Sequence, residues 1–292
     1  MRSTLVILVL CFCRIWSSSL DDERIIDGAI SSDGQFPYAV AFYYFLEDGR
    51  HFCGGSLLDD KSVLTAAHCL EGGTQFVIHL GINKLGEAED SGLVINSTSY
   101  VIHPDYNGTV LNNDIGILYL ETTISFSDKI QPVELPTEAL GPNEDVFALG
   151  WGSVTDEQLL PSNDLSHVSL TTISNAVCRR TYGDFIQNNM VCLVGIGNQG
   201  ICDGDSGSPL IQIAFDGRNI QVGVASFFGG LGCETEHPSG YTRTFEYVEW
   251  IRNVIAPEST PEPEPTLAPG SASIITSLVS SVMLLLLVVL YL

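Results

Sequence analysis

The stretch Cys202-Asp203-Gly204-Asp205-Ser206-Gly207-Ser208-Pro209-Leu210 sets a serine between two glycines, one two residues before it and one directly after it. That spacing lets the serine sit on a tight turn with its hydroxyl exposed and two backbone N–H groups converging beside it. A nucleophile next to an oxyanion hole is what acyl transfer requires. Alone, such a Gly/Ser/Asp segment is equally an ordinary turn, and its meaning depends on what else the chain carries.

A serine needs a base, and the base needs an orienting partner. Thr65-Ala66-Ala67-His68-Cys69 supplies a histidine after the strand-like apolar run from Ser62 to Ala67. Asn112-Asn113-Asp114 supplies an aspartate directly before the apolar run Ile115 to Leu120. With TAAHC at 65–69, NDIGIL at 113–118, GWG at 150–152 and GDSG at 204–207, the chain resembles the chymotrypsin-like (trypsin-like) serine proteases from about Ile25 to Ile255. The resemblance implies an all-β fold of two packed six-stranded antiparallel barrels with a C-terminal helix. It also implies a catalytic triad of His68, Asp114 and Ser206, and an oxyanion hole from the N–H groups of Gly204 and Ser206. Ser208 stands where the family usually has a second glycine, and tolerance of that change is expected.

The chain has 292 residues, 45% of them hydrophobic, and a formal net charge of −23 from 35 acidic and 12 basic residues. It has no basic stripe to neutralise phosphate, which argues against nucleic acid as a partner. The acidity fits a soluble, secreted protein. Residues 1–19 read as a secretory signal: Arg2 is followed by the apolar Leu5 to Cys13 and the small Ser17-Ser18-Ser19. Residues 20–24 then form a short activation propeptide ending at Arg24. By the resemblance, an activating protease cuts Arg24–Ile25, and the new ammonium of Ile25 moves inside to pair with Asp205. A buried carboxylate is costly alone and tolerable when paired, so proteolysis acts as a switch.

Short apolar runs broken by Gly, Asn, Asp and Pro extend from Tyr38 to Phe228, among them Tyr38–Leu46, Ser56–Leu58, Val94–Ile102 and Val222–Phe228. Their regular spacing points to an all-β barrel or sandwich. One helix is expected over Tyr247, Trp250, Ile251, Val254 and Ile255, stopped by Pro257. Cys11 and Cys13 leave with the signal, and the remaining six cysteines suit an oxidising compartment. Six cysteines allow 15 pairings; the resemblance implies Cys53–Cys69, Cys178–Cys192 and Cys202–Cys233. No close C-x-x-C or histidine pair suggests a metal, and no cofactor is expected. The acidic cluster Glu87, Glu89 and Asp90 reads as a solvated loop rather than a calcium site. Asn96 and Asn107 open glycosylation sequons. His51, His79, His103, His167 and His237 read as structural or surface residues.

The substrate pocket is placed by alignment to the family. Gly200 lies at its base, where trypsin-type enzymes carry an aspartate, so a basic substrate side chain would meet no counter-charge. An unpaired buried cation costs roughly 3–5 kcal/mol. Ser239 forms the far wall, and Phe228 stands where glycine keeps the pocket open in deep-pocketed members. Ser226 supports the buried aspartate, and its carbonyl pairs with substrate. Small to medium apolar side chains before the cut are expected, with large aromatic ones as the alternative. Asp203 sits at the pocket mouth.

After the protease domain, 25–256, the composition shifts to a Pro/Glu-rich linker, 257–273, and a hydrophobic tail, 274–292, with no Lys or Arg after Arg252. Small residues, a polar spacer and an apolar end fit a GPI-attachment signal, with Ser271 as the attachment site and the tail removed. A single C-terminal transmembrane anchor is the alternative. The whole describes a monomeric, extracellular serine endopeptidase made as a zymogen and tethered to the plasma membrane, with protein or peptide substrates. The alternative from another class is a non-catalytic protease-fold binding module.

Overall fold

The structure, a computed structural model, describes residues 28–87, 92–158, 160–197 and 199–256. These residues carry fourteen strands and two α-helices. In chain order the strands are β1 (Ala29–Ile30), β2 (Ala39–Leu46), β3 (Gly49–Leu57), β4 (Ser62–Thr65), β5 (Gln75–Leu80), β6 (Leu93–Ser97), β7 (Tyr100–Ile102) and β8 (Gly116–Tyr119). Then follow β9 (Asp145–Gly150), β10 (Ser166–Ile173), β11 (Met190–Val194), β12 (Pro209–Ile213), β13 (Asn219–Phe227) and β14 (Ser239–Arg243).

The second half closes. Its strands run β10-β11-β14-β13-β12-β9, and β9 returns to pair with β10 over Asp145 to Gly150, which makes a six-stranded antiparallel barrel. In β10 the buried residues alternate, with Ser166, Val168, Leu170 and Thr172 facing in, the period a strand needs to cover one side of a core. The first half departs from the expected six strands. It is a curled seven-stranded sheet ordered β6-β5-β2-β3-β4-β8-β7. The apolar run Val94–Ile102 is two strands, not one. Ser97 Oγ accepts the Ser99 N–H at 3.1 Å and turns the chain, so β6 pairs with β5 while β7 pairs with β8.

Each half has its own core. Phe42, Leu57, Leu64, Phe76, Ile78 and Ile117 fill the first, and Val146, Leu170, Leu193, Leu210 and Tyr241 the second. A third cluster takes Tyr38 and Ala41 from the first half and Trp151, Leu165 and Ile211 from the second, joining the two. The expected C-terminal helix spans Val248–Ile255 (α2), and its Ile251, with Trp250 and Val254, packs on the first core. A second helix, α1 (Asn175–Tyr182), was not foreseen from periodicity; Ser174 caps it by accepting the Val177 N–H at 3.3 Å. Such a cap satisfies one of the free N–H groups at a helix start.

Candidate active site

Asp114 and His68 are set by two turns of the first half. Asn113 takes a left-handed φ of 56° and delivers Asp114 two residues before the start of β8, fully buried. Asp114 Oδ1 accepts the backbone N–H of His68 at 3.0 Å, and Oδ2 lies 2.8 Å from His68 Nδ1. An ionised carboxylate only accepts, so Nδ1 carries the proton and Nε2 is left as the basic nitrogen. Burial alone would hold this imidazole down. The charge of Asp114, its hydrogen bond and the charge of Glu71 outweigh that, and the net shift is upward.

The second half supports the same acid. Ser226 Oγ on β13 donates to Asp114 Oδ2 at 2.6 Å, and Thr242 Oγ1 on β14 donates to the Asp114 carbonyl at 2.7 Å. Asn113 is held in turn: the Tyr247 hydroxyl donates to its Oδ1 at 2.7 Å, and Asn189 Nδ2 lies 2.9 Å from both Asn112 Oδ1 and Asn113 Oδ1. Asn189 and Tyr247 are supports that sequence reasoning missed. An asparagine pair before the acid gave half of the signal, but its partners sit more than fifty residues away.

Ser206 lies on the turn expected for it. Gly204 has φ 95° and Gly207 φ 79°, a region side chains rarely adopt. A Cβ on Gly207 would lie 2.1 Å from Thr65 Oγ1. The Ser206 carbonyl accepts the Gly54 N–H, and the Gly207 N–H donates to the Ala225 carbonyl, both at 2.8 Å. The turn carrying Ser206 is thus stitched to β3 and β13. Ser208 is buried in space that Gly54 leaves free, since a Cβ there would sit 1.9 Å from Ser208 Oγ. That accounts physically for the departure from glycine at position 208.

Asp205 is fully buried, and its carboxylate accepts N–H groups from Gly152 at 2.8 Å and Cys202 at 3.0 Å. Burial pushes it up to about 7, although the two N–H groups pull the other way. Arg24, Ile25 and Ser271 lie outside the described residues. The three disulfides pair as the resemblance implies: Cys53–Cys69, Cys178–Cys192 and Cys202–Cys233. The first braces the histidine turn against β3, and the third ties the nucleophile turn to the loop after β13. Two groupings of metal-ligand type occur among the described residues, Cys53/His68/Cys69 and Asp156/Cys202/Cys233. Their sulfurs are already committed to disulfides.

Around the expected pocket, Gly200 is buried, yet nothing lies within 4 Å of where its Cβ would stand, so it faces open space. Ser226 and Ser239 are both buried, on β13 and β14. Phe228 is half-buried, packed against the cluster containing Ile201 and against the Cys202–Cys233 bridge. Asp156 fixes the neighbouring loop: its Oδ1 accepts the Cys233 N–H at 2.6 Å, and its own N–H donates to Glu234 Oε2 at 2.9 Å. A second opening, a cleft of about 580 Å³, is lined by His68, Ser206, Gly204 and Asp203 and extends to Tyr43, Arg50 and Phe52. His51, read from sequence as structural or surface, also lines it. Asn96 on β6 and Asn107 in the loop before Asp114 are exposed, as carriers of glycans must be. Among the described residues no helix is long and apolar enough to cross a membrane.

Comparison with known proteins agrees with this geometry. The family described as trypsin matches residues 25–251. The chain is 33% identical over 228 residues to brachyurin of Leptuca pugilator, covering 78% of this chain and 97% of that protein. It is also 33% identical over 238 residues to trypsin II-P29 of Gallus gallus, covering 81% and 91%. Among solved structures, HL collagenase superposes with a TM-score of 0.70 at 31% identity, over 79% of this chain and 98% of that one. Neuropsin, a serine protease of mouse brain, gives 0.70 at 28%, over 79% and 100%. The chain belongs to the trypsin family of serine endopeptidases, enzymes that hydrolyse peptide bonds.

Proposed function

We propose that this chain is a secreted endopeptidase whose Ser206, His68 and Asp114 form a catalytic triad, cutting after small to medium apolar residues. The observation that carries the roles is the buried Asp114 carboxylate bonded to His68 Nδ1 while His68 and Ser206 share one cleft. Ser206 Oγ attacks the scissile carbonyl as His68 Nε2 takes its proton. His68 then gives that proton to the leaving amine, and Asp114 holds the imidazole and stabilises its cation. The N–H groups of Gly204 and Ser206 meet the oxyanion, each worth about 100- to 1,000-fold in rate.

The apolar preference rests on the neutral, open face of Gly200 and on the Phe228 ring leaning against the Cys202–Cys233 bridge. The zymogen reading rests on Asp205. A carboxyl whose partners among the described residues are backbone N–H groups, and which is shifted to about 7, is a group that an incoming cation would ionise. Cleavage at Arg24–Ile25 would supply that cation. Tethering by a GPI anchor at Ser271 and glycans on Asn96 and Asn107 complete the account.

The test is an assay of the protein cut at Arg24, on peptides differing only in the residue before the scissile bond: Ala, Val, Leu, Phe and Arg. Turnover of Ala, Val or Leu, lost in Ser206→Ala, is expected. Preference for Phe would show a deeper pocket, and preference for Arg would overturn the reading of Gly200.

A further inference from the structure

The cleft of about 580 Å³ beside His68 and Ser206 is lined by none of Gly200, Ser226, Phe228 and Ser239. It runs from the nucleophile to Tyr43, Arg50 and Phe52 on β2 and β3 and to Leu160, Pro161 and Asp203. If the residue before the cut occupies the pocket, the chain after the cut must leave along this cleft. That assignment rests on the reading under Proposed function.

β3 gives the cleft its scale. Gly54 touches the nucleophile turn through its N–H to the Ser206 carbonyl, and Arg50 lies four residues earlier on the same strand. At about 3.3 Å per residue that is roughly 13 Å. With the length of the arginine side chain counted, an extended substrate reaches the guanidinium with about its second or third residue after the cut.

Against a net charge of −23, Arg50 is the one lysine or arginine that lines this cleft; it is exposed and, like Lys61, Arg179, Arg180, Arg243 and Arg252, forms no ion pair among the described residues. Its guanidinium carbon lies 4.6 Å from the centroid of the Tyr43 ring. Stacking of this kind anchors the cation and leaves its N–H fork free for a carboxylate. Tyr43 and Phe52 are edge-on at 5.2 Å and make an apolar floor beside it. The other ionisable groups of the cleft lie elsewhere or are engaged: His51 bonds Asp48 at 2.9 Å, and Asp203 stands beside the nucleophile turn.

With the leaving-group side of the substrate in this cleft, we propose that Arg50 selects an acidic side chain at the second or third residue after the scissile bond. The wild-type protein, cut at Arg24, would be given peptides with one fixed acyl side and Glu, Gln or Lys at those two positions. An anilide carrying the same acyl side and no leaving-group residues would run in parallel. The expected kcat/KM order is Glu, Gln, Lys, with Glu over Lys by about three- to tenfold, the scale of a partly exposed ion pair. In Arg50→Gln the ratio falls to about one, and in Arg50→Glu it inverts. A wild-type ratio near one, or a ratio untouched by both variants while the peptides are cut, overturns the proposal. Failure of the wild-type protein to cut even the anilide overturns the catalytic reading itself, and the subsite with it.

Discussion

Ser226 Oγ donates to Asp114 Oδ2 at 2.6 Å, so a hydroxyl from the closed barrel meets the acid of the other half deep inside the protein. Both groups are buried, Asp114 completely. Removing the donor leaves a buried carboxylate short of a partner, a loss of about 1.5–3 kcal/mol for a bond to a charged group. Ser226→Ala should therefore lower kcat/KM by about tenfold or more. Steady-state kinetics with circular dichroism would check it, and an unchanged kcat/KM in a folded variant would refute it.

The pH profile follows from the same acid. His68 is raised above its ordinary value, and only the neutral imidazole takes the serine proton. Below its pKa the base is charged and idle. Activity should rise with pH through a midpoint above about 6.5. In Asp114→Asn the attraction that raises His68 is gone, so the midpoint should fall. kcat should also drop by about 10⁴-fold, because the tautomer is no longer held. Measuring kcat/KM against pH for both proteins is the check.

Asp205 makes a prediction about stability. Its folded pKa of about 7 lies above the ordinary carboxyl value of 3.8. Between those pH values the native state holds a proton that the unfolded state has lost, so stability falls as pH rises from about 4 to 7. Denaturation of the uncut protein should show that decline, and Asp205→Asn should flatten it. After cleavage at Arg24 an ammonium partner would favour the ionised acid, and the decline should shrink. Urea titrations at three pH values, before and after cutting, measure all of this.

Tyr247 acts on catalysis at one remove. Its hydroxyl holds Asn113, whose left-handed backbone aims Asp114 at His68. Tyr247→Phe removes that bond and keeps the ring packed in the first core. A fall in kcat of several-fold with KM nearly constant is expected, at about 0.5–1.5 kcal/mol for a neutral hydrogen bond. An equal loss of stability with no change in kcat would make the residue merely structural.

Much of this was legible in the sequence because catalysis depends on short local patterns. The turn around Ser206 needs Gly204 and Gly207 at positive φ, and each writes itself as a single residue type. The edge of β2 and the span of α2 followed from apolar spacing. β3 was seen only at its inner end, Ser56 and Leu57, because Gly49, Arg50 and His51 are polar and yet paired in the sheet. The turn at Ser97–Ser99 was invisible because serines sit as readily within a strand as at its corner. The supports were hidden for another reason: Asn189, Tyr247 and Asp156 act across distances in sequence that no local pattern records. Arg50 was missed because one exposed arginine looks like any other until Tyr43 is seen beneath it.

The central claim is that Ser206 is a nucleophile activated by His68. The most direct measurement is to treat the protein cut at Arg24 with a fluorophosphonate and to locate the adduct by peptide mass mapping. One adduct, on Ser206, absent in Ser206→Ala and strongly slowed in His68→Ala, is the result expected. No adduct on the cut, folded protein, or labelling that persists at another serine in Ser206→Ala, would contradict it.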